Sequence, residues 1–131
     1  MYTATKFSTV EDKEKFVHQF KKFIESDFAK SKFPKWFYNR LSMTFGHIAH
    51  YNQAGFFETF FTNTRDKVRF LQSTLETGCY GSPEHTFCDC EHDIHVWLKE
   101  QGTLEKYQAL LTAQVENYER AELTRLQEKY Q

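Results

Sequence analysis

Valine and isoleucine together number only eight in 131 residues. These β-branched side chains are what pleated sheets favour, so their scarcity argues against a sheet. Prolines number two and glycines five. None of the glycines forms a phosphate-cradling loop; four read as breaks or caps, and Gly46 sits inside a helical stretch. Cysteines number three. An odd count with no Cys-x-x-Cys pair excludes a disulfide framework and the standard zinc-finger spacing. No stretch of apolar residues reaches the length of a membrane span. The opening residues, Met1 to Lys6, lack the apolar core of an export signal. A cytoplasmic protein with free thiols is therefore expected.

What the chain does contain is phenylalanine. Fourteen of them exceed the leucines, and the apolar positions recur at spacings of three and four, the helical period. Apolar residues at 40% and charged residues at 27% place the chain in the globular range. Its length suits one domain, residues 1–131. The expected fold is all-α: a compact bundle of five or six helices.

Local signals divide the chain. Ser8 and Glu11 have the spacing of a capping box, which starts a first helix at Ser8 or Thr9. Its apolar stripe is Phe16, Val17, Phe20, Phe23, Ile24 and Phe28. Pro34 suits the first turn of a second helix, expected over 34–52, with Phe37, Leu41, Phe45 and Ile48 inward and Trp36, Met43, His47 and His50 on its flank. Gly55 reads as a break before a short apolar segment of Phe56, Phe57, Phe60 and Phe61. Asn63 with Asp66 caps a helix to about residue 77, ended by Gly78. Residues 78–86 carry turn chemistry. Thr86 with Asp89 opens a helix to about residue 101 with Phe87, Cys90, Ile94, Trp97 and Leu98 inward, and Gly102 ends it. Thr103 is expected to cap a last helix to about residue 129. That helix is roughly 40 Å long at 1.5 Å per residue. A globular chain of this size is about 36 Å across, so the helix spans the domain or overhangs it. The expected core comprises Phe20, Phe23, Leu41, Phe45, Ile48, Phe60, Leu71, Ile94, Trp97 and Leu111.

Three groups of residues bear on chemistry. Residues 79–95 hold all three cysteines and three of the six histidines. Cys88, His92 and His95 fall at i, i+4 and i+7 of one helix face, and thiolate and imidazole are ligands that zinc favours; Cys79 or His85 can complete four. The plainer alternative makes Cys90 core and the histidines surface. His47-x-x-His50 with His92-x-x-His95 offers four imidazoles, but lacks the Glu-x-x-His form of bundle metal sites. Cys88 or Cys79 with a histidine base matches no catalytic signature. The stretch Lys30, Lys32, Lys35, Trp36, Tyr38 and Arg40 mixes cations with rings that stack on bases. An isoelectric point of about 6.6 weakens that nucleic-acid reading.

Charge is split along the chain. Residues 1–75 carry 12 Lys and Arg against 7 Asp and Glu, and residues 76–131 carry 5 against 11. Attraction between the halves within one fold accounts for this most simply. The sharper reading is a surface for a partner of opposite charge.

No catalytic set emerges, so the favoured expectation is a non-enzymatic protein that binds another macromolecule, most simply a protein. The expected surface lies on the last helix, at Glu116, Tyr118, Glu119, Glu122, Leu123 and Leu126, and self-association through that helix fits the same features. Small, compact, Phe-rich helical chains of this kind are similar in style to accessory or inhibitor proteins of phages and plasmids, for example those acting against host defence systems, although no motif identifies a family. The alternatives are a zinc-binding domain or metalloenzyme centred on residues 79–95, and nucleic-acid binding through Lys30, Lys32, Lys35, Trp36 and Arg40.

Overall fold

The computed structural model describes residue 4 and residues 9–45, 52–76 and 88–130, without the side chains of Met43 and Cys88. Six α-helices and one 3-10 turn lie within them: α1 Val10–Glu25, the turn Lys30–Lys32, α2 Lys35–Thr44, α3 Gln53–Phe60, α4 Thr64–Glu76, α5 Cys88–Gln101 and α6 Thr103–Lys129. No strand occurs among the described residues. None of these helices is long and apolar enough to cross a membrane.

The caps explain most of the boundaries. Thr9 starts α1 by accepting a hydrogen bond from the Asp12 amide at 3.1 Å; Ser8 lies outside the described residues. Asn63 and Asp66 form the expected reciprocal cap of α4. The Asp66 amide donates to Asn63 Oδ1 at 2.9 Å, and Asn63 Nδ2 donates to Asp66 Oδ2 at 2.7 Å.

Five expectations need correction. The stripe of the first helix does not reach Phe28, because α1 ends at Glu25 and Phe28 follows it with φ +58°. Helix α2 stops at Thr44 and not near 52, because Phe45 is extended (φ −122°) and turns its ring into the core, stacked at 6.2 Å on His95. Ile48, His47 and His50 lie outside the described residues. Gly55 is not a break. It is the third residue of α3, where its amide donates to the capping Asn52 Oδ1 at 2.6 Å. Thr103 does not cap α6; it is buried as the first helical residue, and Gly102 before it is the cap. Gly102 has φ +61°, a conformation open to glycine at little cost, and this lets α6 follow α5 without a loop. Pro34 is the cap of α2 and not its first helical residue. Gly78, the loop 78–86, Thr86 and Phe87 lie outside the described residues.

All twelve phenylalanines among the described residues are buried. Phe23 sits at their centre, with ring centroids of Phe61, Phe33, Phe28 and Phe37 at 4.9, 5.1, 5.3 and 5.7 Å. The phenylalanines among the described residues are thus core. Of the expected core, Phe20, Phe23, Leu41, Phe45, Phe60, Leu71 and Ile94 are buried, while Trp97 and Leu111 are partly buried at its margin.

Packing of α1 into this core reverses the chain by an unusual route. Asp27 and Phe28 both adopt φ +58°. A bulky residue in this left-handed region costs roughly 1–2 kcal/mol. Burial of the Phe28 ring against Phe23, Phe61, Phe70 and Tyr107 offsets that strain.

Only the first third of α6 packs on the body, against α4 and α5, with Tyr107 buried. From Ala113 to Tyr130 every residue but the half-exposed Glu122 is exposed. At 1.5 Å per residue this free segment extends about 27 Å.

Candidate functional site

The histidine- and cysteine-rich stretch is only partly described. Cys79 and His85 lie outside the described residues, as does the Cys88 side chain. Cys90 is buried in the core, where burial foremost, and then the Asp89 carboxylate, push its thiol up to about 12. It is therefore a protonated core thiol and not a thiolate ligand. His92 and His95 share α5 but not an environment. His92 is exposed, whereas His95 Nε2 lies 2.6 Å from the Thr74 carbonyl oxygen on α4. A carbonyl only accepts, so Nε2 carries the proton and donates. Glu91 is buried one turn before His95, at 3.8 Å, and its carboxyl is held above the usual carboxylate range by that burial, against the pull of His95 and His92. Among the described residues no three His, Cys, Asp or Glu side chains converge as a metal site would need.

The basic stretch separates on folding. Tyr38 is buried, Trp36 is covered by Lys15 Nζ at 4.4 Å, and Arg40 Nε pairs with Asp12 at 3.1 Å. The buried Tyr38 ring offers no open face for a base to stack on, and Trp36 is partly buried. Lys30, Lys32 and Lys35 remain exposed. Of the three, Lys30 lines a groove of about 370 Å³ between the 3-10 turn and α3, with Phe33, Pro34 and Phe57, while Lys32 and Lys35 neighbour its lining residues in the chain.

Two ionic links escaped the sequence reading. Lys13 is 2% exposed and its ammonium meets both Asp89 oxygens at 2.9 and 3.0 Å, joining α1 to α5. The signal was present, since Lys13 stands three, four and seven residues before Phe16, Val17 and Phe20 and thus in register with the apolar stripe. Asp27 accepts from Tyr107 Oη at 2.6 Å and from Lys67 at 3.2 Å. Burial pushes the Asp27 carboxyl up, but these two donors outweigh it and hold the group below its ordinary value; the Tyr107 hydroxyl is raised by burial and by the same carboxylate. Asp27 and Tyr107 also line a cleft of about 360 Å³ with Glu25, Trp97, Thr103 and Lys106.

These links draw opposite charges together within the fold. The excess acid of the C-terminal half also lies mainly ahead of the last helix. Residues 103–129 hold five acids and four bases, so most of the deficit belongs to residues 76–102.

The free part of α6 carries the remaining candidate surface. Tyr118, Leu123 and Tyr130 are 68%, 57% and 77% exposed, and Val115 and Leu126 are exposed beside them. Glu119, Leu123, Leu126 and Tyr130 fall at i, i+4, i+7 and i+11, which is one face of a helix. Glu116 is engaged by Arg120 at 3.9 Å and Glu122 by Arg125 at 3.0 Å. Every residue expected at the partner surface lies on this segment, all exposed except half-exposed Glu122. No family model, curated protein or solved structure matches the chain.

Proposed function

We propose that this chain is a non-enzymatic protein-binding module, an accessory or inhibitor protein whose docking surface is the free part of α6. The observation that carries this reading is a helix of about 27 Å with Val115, Tyr118, Leu123, Leu126 and Tyr130 exposed. Tyrosine and leucine side chains of this kind supply large apolar area at an interface, and tyrosine does so with few rotors to immobilise. An isolated helix of this length is marginal in water. The pairs Glu116–Arg120 and Glu122–Arg125 each add only about 0.2–0.5 kcal/mol. A partner that covers the strip stabilises both the helix and the complex.

Deletion of 113–131 tests the reading. The truncated chain should fold, because the deleted residues make no core, and should lose its partner. Hydrogen exchange on the full complex should then show protection at 113–130. A partner bound equally by full and truncated chains places the surface elsewhere and overturns the proposal.

A further inference from the structure

The protruding helix needs a receptor of matching chemistry, and the chain carries one. The groove between the 3-10 turn and α3 has an apolar floor of Phe33, Pro34 and Phe57, with Lys30 at its edge, its ammonium 5.9 Å from the Phe57 ring. Among the described residues none of Lys30, Lys32 and Lys35 has a carboxylate within ion-pair distance. A lysine at the edge of an apolar groove, with two more exposed lysines close by in the chain, fits a helix that presents apolar side chains together with an acid. On α6 that strip is Glu119, Leu123, Leu126 and Tyr130. Among the described residues Glu119 has no cation within ion-pair distance, whereas Glu116 and Glu122 pair with Arg120 and Arg125. The volume of about 370 Å³ suits one or two aliphatic side chains.

We infer that the free end of α6 docks in the groove between the 3-10 turn and α3 of a second copy of this chain, with Leu123 and Leu126 in the groove and Glu119 against Lys30 at its edge. This deepens the protein-binding reading above and rests on it. The contact joins two different surfaces, so it is heterologous. Each copy presents one helix and one groove, and the association either closes reciprocally or runs on in a chain. Opposite charges on the two surfaces steer the encounter and make it sensitive to salt.

Sedimentation velocity on the full chain tests this at 10–200 µM. Association should appear at 50 mM salt and weaken on the order of tenfold at 500 mM. A groove variant, Lys30→Glu with Lys32→Glu and Lys35→Glu, should be monomeric. So should a helix variant, Leu123→Ser with Leu126→Ser, at two exposed positions. Mixed one to one, the two variants should form a dimer, since one supplies an intact helix and the other an intact groove. Circular dichroism confirms that each variant is folded. Glu119→Lys alone, on an exposed side chain, should weaken association about fivefold, and so covers a triple variant that misfolds. A full chain that stays monomeric, a folded groove variant that associates like the parent, or a mixture that stays monomeric each overturns the inference. If the full chain is monomeric but deletion of 113–131 still abolishes binding of a different protein, self-docking fails and the protein-binding reading stands. If the deletion also leaves that binding intact, both fail.

Discussion

The buried pair Lys13–Asp89 makes a sharp, asymmetric prediction. Lys13 is 2% exposed, and the Asp89 side chain is 31% exposed. Removing the carboxylate by Asp89→Ala leaves an ammonium in the core at 2.9 Å from where its partner stood. Loss of one member of a buried pair costs roughly 3–5 kcal/mol, and the water that reaches Asp89 puts this case near the low end, about 3 kcal/mol. Lys13→Met keeps the unbranched stem and removes the charge instead. The carboxylate left behind turns to solvent, so the expected cost is about 1 kcal/mol or less. In the double variant neither charge is stranded, and it should be more stable than Asp89→Ala alone by about 2 kcal/mol. Urea unfolding followed by circular dichroism measures all four chains. For a domain of this size 1 kcal/mol moves Tm by roughly 3–5 °C, so the difference between the two single variants is readable by heat as well. Equal losses in both single variants, or additive losses in the double, would refute the reasoning.

Three further outcomes follow from the same geometry. Gly102→Ala should cost about 1 kcal/mol, because φ is +61° there while the nearest atom to an added Cβ is 3.9 Å away; an unchanged urea midpoint would show that the turn relaxes. The folded Asp27 carboxyl lies below its ordinary value of 3.8, so the stability it contributes is present above that pH and is lost as pH falls through the lower folded value. Tyr107→Phe should therefore lower Tm more at pH 7 than at pH 2.5, and an equal drop at both would show that the hydroxyl does not act through the ionised carboxylate. Because His95 donates to the Thr74 carbonyl, His95→Ala should lower Tm equally with and without chelator; an effect seen only in untreated protein, together with stoichiometric zinc that Cys88→Ser removes, would instead favour a metal at Cys88 and His92.

Much of the fold was legible because its signals are local. A cap such as Asn63 with Asp66 satisfies amides within one turn, and the stripe from Phe16 to Ile24 repeats at the period of the helix it forms. Neither needs knowledge of what lies across the core. The long α6 was legible for the same reason, and comparing its length with the width of a domain of this size left it either spanning the body or overhanging it. The end of α2 was not legible. Nothing near Phe45 in the sequence says that its ring leaves the helix to stack on His95, fifty residues away. Gly55 misled because a glycine inside a cap and a glycine at a break look alike until the Asn52 side chain is placed.

The candidate surface divides the same way. The sequence alone determined that Tyr118, Leu123 and Leu126 lie on the last helix and that acids accompany them. Only the tertiary structure decided that this segment is exposed and that, among the described residues, Glu119, unlike Glu116 and Glu122, forms no ion pair. It also decided that Lys13 of the stripe meets Asp89, that Tyr38 is buried, and that the Lys15 ammonium lies over the Trp36 ring. The physical reason is range. Helix period and capping depend on residues within four positions, whereas burial and charge pairing depend on which helices meet, and here the deciding partners stand 76 and 80 residues apart.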